Sequence, residues 1–98
     1  MTIAPLPSLS VVIPALNAAN VIEACLEAIF AQEYSGQRDV TVAVGPSSDN
    51  TKEVLARWAA QENRLQVVDN PTGRTPTALN LAIAASRGDI VARVDAQS

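Results

Sequence analysis

Polar residues of four kinds follow directly after four apolar runs. Pro14-Ala-Leu-Asn17 follows Leu9 to Ile13, and Gly45-Pro-Ser-Ser-Asp49 follows Val40 to Val44. Asp69-Asn-Pro-Thr-Gly-Arg74 follows Leu65 to Val68, and Asp95-Ala-Gln-Ser98 follows Ile90 to Val94. Amides, hydroxyls, carboxylates and one guanidinium group at strand ends are what nucleotide recognition needs, because open α/β sheets bind ligands outside the carboxyl ends of their strands. Arg74 has the planar donor fork that suits phosphate oxygens. Each feature also has a purely structural explanation. Proline ends strands, asparagine caps helices, an aspartate such as Asp49 favours a helix start, and loop arginines are commonly solvated.

Some chemistry is excluded outright. The chain has no histidine, so a Ser-His-Asp triad, a histidine-ligated zinc and a histidine general base are all unavailable within it. Cys25 is the single cysteine, which rules out an internal disulfide; its place on the apolar side of a predicted helix points to burial. The formal net charge is −3 and no basic patch suggests nucleic acid. No apolar run approaches the ~20 residues of a membrane span, and MTIAPLPSLS lacks the basic start and apolar centre of a signal peptide. The expected location is cytoplasmic.

The elements that would carry these groups follow from periodicity. Between the four apolar runs lie three helical patterns: Val21, Ile22, Cys25, Leu26, Ile29 and Phe30; Val54, Leu55, Trp58 and Ala59; Ala78, Leu79, Ala82 and Ile83. Each repeats i, i+1, i+4, i+5 and so draws one apolar stripe on a helix. Asn50-Thr-Lys-Glu53 reads as a capping box, Thr75-Pro76 as a capping hydroxyl before a first-turn proline, and Gly88 as a helix stop. The order β-α-β-α-β-α-β with short connections predicts an α/β, Rossmann-like, three-layer half-domain with a mainly parallel four-stranded sheet. Residues 1–8 read as a flexible leader, and residues 9–98 as one α/β unit. In a parallel sheet all four polar strand ends share one edge and converge.

The common phosphate loops are absent. There is no GxxxxGK[ST] and no GxGxxG after the first strand, and that strand ends without an acidic pair. "SVVIPALNAANVIEACLEAI", "GPSSDNT", "NPTGRTPTALNLAIAASRGDI" and "ARVDAQS" together resemble the N-terminal, nucleotide-sugar-binding half of a family 2 glycosyltransferase of the GT-A fold. The likeness runs from about Ser10 to Ser98 and is nearest the branch involved in succinoglycan-type polysaccharide assembly.

The resemblance implies roles for particular residues. Pro14, Ala15 and Asn17 would wrap the nucleobase, with Ser47, Ser48 and Asp49 beside it. Where the family usually has one or two aspartates before that serine, this chain has Val44 and Gly45 followed by Pro46, so a carboxylate that could read a uracil N–H is missing. Gly73, Arg74, Ala78 and Asn80 match the segment beneath the diphosphate. Asp95 matches the first carboxylate of the motif that contacts the ribose and a divalent metal, Mn or Mg. Gln97 stands at the motif's third position with a neutral oxygen, which weakens the expected metal affinity. Arg93 would orient Asp95.

The expected protein is the donor-binding part of an inverting glycosyltransferase, acting between a nucleotide-diphosphate sugar and a polysaccharide or lipid-linked acceptor. The acceptor half and its base are expected to lie outside this chain, leaving it inactive alone and a homodimer through surface near the fourth strand. The 48% apolar and 17% charged composition agrees with such a contact surface. The rival reading is a non-catalytic α/β interaction module without a nucleotide site; a flavodoxin-like cofactor binder would need a phosphate loop that is not there.

Overall fold

A computed structural model describes residues 7–32 and 36–95 of the chain. Its elements are β1 (Leu9–Ala15), α1 (Ala19–Ala31), β2 (Arg38–Val44), α2 (Thr51–Gln61), β3 (Leu65–Asp69), α3 (Thr75–Ala85) and β4 (Ile90–Arg93). The strands form one parallel sheet in the order β3-β2-β1-β4. The chain steps outward from β1 to β3 and then crosses back over β1 to place β4. Right-handed crossovers taken in opposite directions put their helices on opposite faces, which gives three layers.

The two faces differ in depth. Val11, Ile13, Val40, Val42, Val44 and Leu65 meet Ile22, Leu26, Val54 and Leu55 of α1 and α2 in the main core. On the other face Val12 and Ala43 meet Ala78 and Ala82 of α3, and small side chains let that helix approach the sheet closely. Full burial of one Leu or Ile contributes about 1.5–3 kcal/mol, so the α1 side, with Ile22 and Leu26 inaccessible to water, dominates stability. Cys25 is half-buried against this core, and burial raises its thiol pKa, as expected of a packing residue. No helix among the described residues is long and apolar enough to cross a membrane.

Several local expectations are corrected. β1 does not stop at Pro14 but continues to Ala15, with Pro14 opposite Ala43. Val94 N–H donates to the Val12 carbonyl (3.0 Å). The next rung on that side would come from residue 14, where proline has no N–H. Pro14 therefore ends the ladder to β4, not the strand. Asn50 makes no side-chain cap on α2; Asp49 accepts from the Thr51 N–H instead (3.0 Å). Thr75 is the first residue of α3, not its cap, and no side chain caps that helix.

Gly88 does not stop α3, which ends at Ala85. Its role is close approach: a Cβ there would lie 2.6 Å from the Ser10 nitrogen. At the amino end, Ser8 is bound to Asp89 through its N–H (3.3 Å) and its Oγ (2.9 Å). Residues 1–6 of the expected leader lie outside the described residues.

Candidate functional site

Where the strand order reverses, between the carboxyl ends of β1 and β4, neighbouring chain segments diverge and leave a crevice. A cleft of about 250 Å³ lies there. Pro14, Ala15 and Leu16 form its β1 wall, while Asn70, Gly73, Arg74, Thr75 and Ala78 come from the β3–α3 turn and α3. Arg93 and Asp95 close the β4 side.

The β3–α3 turn is rigid for a reason visible in its residue types. Asn70-Pro-Thr-Gly73 is a four-residue turn closed by Gly73 N–H donating to the Asn70 carbonyl (3.1 Å). Gly73 follows in the left-handed region at φ 69°, which glycine adopts without steric cost. Asn70 is 2% exposed and wired throughout. Its N–H donates to the Val44 carbonyl (2.8 Å), its Nδ2 to the Arg74 carbonyl (3.0 Å), and its Oδ1 accepts from the Thr72 hydroxyl (2.9 Å). Arg74 N–H donates to the Thr72 hydroxyl (3.2 Å), so the Arg74 backbone is fixed while its guanidinium stays exposed. It stands at the N-terminus of α3, the positive end of a helix dipole and a favourable place for an anion.

On the β4 side, Arg93 Nε and Nη2 each lie 3.0 Å from Asp95 Oδ1, and both side chains are about half exposed. This pairing supplies the orientation expected of Arg93.

A second cluster forms outside the cleft lining, where the β1–α1 and β2–α2 loops meet. Asn17 has φ 48°, and its Oδ1 accepts from the Ser48 N–H (2.7 Å) and hydroxyl (3.2 Å). Ser47 Oγ accepts from the Asn17 N–H (3.1 Å). Asp49 accepts from Thr51 and from the Ala19 N–H (3.1 Å), and these hydrogen bonds, the Thr51 hydroxyl first, hold its carboxyl below the usual range.

Gly45 stands where the family usually has an acidic residue, and it is closely approached. A Cβ there would lie 3.0 Å from Leu16 Cδ1 and 3.1 Å from Gly73 Cα, so two loops touch through backbone behind the cleft.

Of the residues singled out by the sequence, Pro14, Ala15, Gly73, Arg74, Ala78, Arg93 and Asp95 share the cleft. Asn17, Ser47 and Asp49 cluster beside its β1 wall. Asn80 is exposed on α3 and does not line the cleft, and Gln97 lies outside the described residues. Sequence reasoning gave Asn70 no site role and read Thr75 only as a helix cap, yet both line the cleft. The Asn-Pro-Thr-Gly turn signature was the available signal for Asn70. Among the described residues no three His, Cys, Asp or Glu side chains gather as a metal site.

Comparison with known proteins bears on the family and the fold. The profile of glycosyl transferase family 2 matches residues 10–97. The succinoglycan biosynthesis protein ExoA of Rhizobium meliloti (strain 1021) is 35% identical over 88 residues, which is 88% of this chain and 27% of that protein. Glycosyltransferase AglE of Haloferax volcanii is 33% identical over 92% of this chain and 30% of its own length. The chain thus spans less than a third of either relative.

Among solved structures, the mannosyltransferase PcManGT from Pyrobaculum calidifontis, in complex with GDP-Man and Mn2+, superposes with a TM-score of 0.81 at 33% identity, covering 92% of this chain and 27% of that one. Glucosyl-3-phosphoglycerate synthase from Mycobacterium tuberculosis, with Mn2+, UDP and glucosyl-3-phosphoglycerate, gives 0.73 at 26% identity over 92% of this chain and 33% of that one. The α/β order, the reversal at β1 and the sequence match across nearly the whole chain lead to one assignment: this chain belongs to glycosyl transferase family 2.

Proposed function

We propose that residues 9–98 form the donor-binding half of an inverting glycosyltransferase. A nucleotide-diphosphate sugar would sit in the carboxyl-edge cleft and give its sugar to a polysaccharide or lipid-linked acceptor. The observation that carries this reading is the meeting of Arg74, Arg93 and Asp95 at the strand-order reversal, opposite the Pro14–Leu16 wall. Support comes from the mannosyltransferase of similar fold, solved with GDP-Man and Mn2+.

In this reading Pro14, Ala15 and Asn17, backed by Ser47 and Asp49, shape the nucleobase wall. Arg74 and the N-terminus of α3 attract the diphosphate. Asn80, further along α3, is assigned to the donor only through its match to the family segment. Asp95 faces the ribose and the metal. We assign no catalytic base within residues 9–98.

Divalent ions of the Mg2+ type are held by one or two carboxylates plus substrate phosphates and water. Asp95 fits as the single carboxylate of such a set, with Gln97 as a neutral second donor. The bound metal would offset charge building on the leaving diphosphate. Arg93 holds Asp95 through Oδ1, so Oδ2 would be the oxygen offered to the metal.

A homodimer through β4 belongs to the same reading. Among the described residues β4 has an unpaired edge, and Ile90 and Val91 are 49% and 42% exposed. Such an edge is a template for pairing with another strand.

Calorimetric titration with UDP, GDP and dTDP, with and without Mn2+, tests the donor reading. Saturable binding of at least one, tightened by the metal, supports it. No binding of any at millimolar ligand overturns it.

A further inference from the structure

The three consecutive N–H groups after the cleft wall are all satisfied by side chains from one other loop. Asn17 N–H donates to Ser47 Oγ (3.1 Å), Ala18 N–H to Thr51 Oγ1 (2.9 Å) and Ala19 N–H to Asp49 Oδ2 (3.1 Å). Helix α1 has Ala18 at its N-cap position and no side-chain cap of its own. The N–H groups of Ala18 and Ala19, orphans at the start of α1, are thus served from 30 or more residues away in sequence, by Thr51 and Asp49. Asn17, whose φ of 48° is sparsely populated for a residue with a side chain, immediately follows Leu16 of the wall. Such a conformation persists only where its surroundings determine it.

Thr51 is the centre of this arrangement. It is fully buried, so no ligand can reach it. The Ala18 N–H can only donate, so the Thr51 oxygen accepts there and its hydroxyl hydrogen points to Asp49 Oδ1. The Thr51 N–H also donates to that oxygen (3.0 Å). Both carboxylate oxygens of Asp49 are therefore used within the protein, one on the start of each helix.

We propose that Thr51 and Asp49 are positioning residues: they set the shape of the Pro14–Leu16 wall through the Ala18–Ala19 backbone and make no contact with the ligand. This rests on the donor reading, which names the wall as the nucleobase side of the cleft. Thr51 had no role in the sequence pattern, and Asp49 passes from candidate ligand contact to clamp.

The test uses the full chain and whichever of UDP, GDP or dTDP binds it, with Mn2+. Nucleotide affinity and amide hydrogen exchange are measured for Thr51→Val, Thr51→Ser and Asp49→Asn, with the urea midpoint as a control for folding. Thr51→Val leaves the Ala18 N–H unpaired and buried, and is expected to weaken binding about 5- to 10-fold and to speed exchange at residues 18 and 19. Thr51→Ser restores both, and Asp49→Asn matches Thr51→Val.

Wild-type affinity in Thr51→Val together with lost affinity in Asp49→Asn would make Asp49 a ligand contact and overturn the proposal. Unchanged exchange at residues 18 and 19 in both variants would also overturn it. Should Thr51→Val not fold, Thr51→Ala, without the extra buried methyl group, gives the same readouts. If the wild type binds no nucleotide, the donor reading fails by itself, and exchange at residues 18 and 19 still decides whether the clamp exists.

Discussion

Single residues in this chain carry two demands at once, and Asp95 shows the competition. Its Oδ1 is held by Arg93 at 3.0 Å, and the proposed role asks the same carboxylate to serve a cation. Asp95→Asn keeps the shape and removes the charge. Nucleotide-diphosphate affinity in Mn2+ is expected to fall by about tenfold or more, while stability changes by less than about 1 kcal/mol because the pair is half exposed. Parallel calorimetric and urea titrations of the variant check both halves. Glu62 gives a second, pH-dependent outcome. Its hydrogen bonds to Arg64 pull its pKa from the ordinary 4.5 to about 2. A depressed carboxyl stabilises the fold above its unfolded pKa and loses that contribution as pH falls through its folded value. The urea midpoint is therefore expected to drop between about pH 4.5 and pH 2, and less steeply in Glu62→Gln. Asp49, also depressed, adds to the same limb. Arg74 and Asp95 were legible in the sequence because they lie in the short polar segments that follow β3 and β4. Thr51 was not, because its partner Ala18 lies 33 residues away and donates only through backbone.

At the scale of elements, periodicity predicted all seven correctly, and the errors fell at their ends. Apolar spacing reports which face is buried, and that is decided by many residues together. Caps are decided by single hydrogen bonds, and here they are supplied across loops: α1 by Asp49 and Thr51, and α2 by a residue one earlier than the capping-box pattern indicates. Gly88 was misread for a related reason, since nothing local reveals that Ser10 lies against it. Gly88→Ala would force backbone apart at a 2.6 Å contact, and a loss of about 1–3 kcal/mol is expected in urea unfolding. Leu26→Ala, in the main core, is expected to cost about 2–5 kcal/mol. Ile83→Ala, on a half-exposed face of α3, should cost clearly less in the same assay.

For the whole molecule, the reversal of strand order at β1 does most to shape the candidate site, because it opens the crevice and brings α3 across the opposite face. The exposed Ile90 and Val91 on the unpaired β4 edge lead to the expectation of a dimer. Sedimentation should show a concentration-dependent dimer that Val91→Lys disperses; a monomer at all concentrations would remove β4 pairing from the account. The central claim is that the carboxyl-edge cleft holds a nucleotide diphosphate together with a divalent metal. Its most direct test is amide shift mapping with UDP, GDP and dTDP, followed by paramagnetic broadening on adding Mn2+. Shifts are expected at residues 15, 16, 73–75 and 93–95, with Mn2+ broadening centred on Asp95. Shifts confined to the amino edge of the sheet, around Arg38, Arg64 and Arg87, or Mn2+ broadening centred away from Asp95, would contradict it.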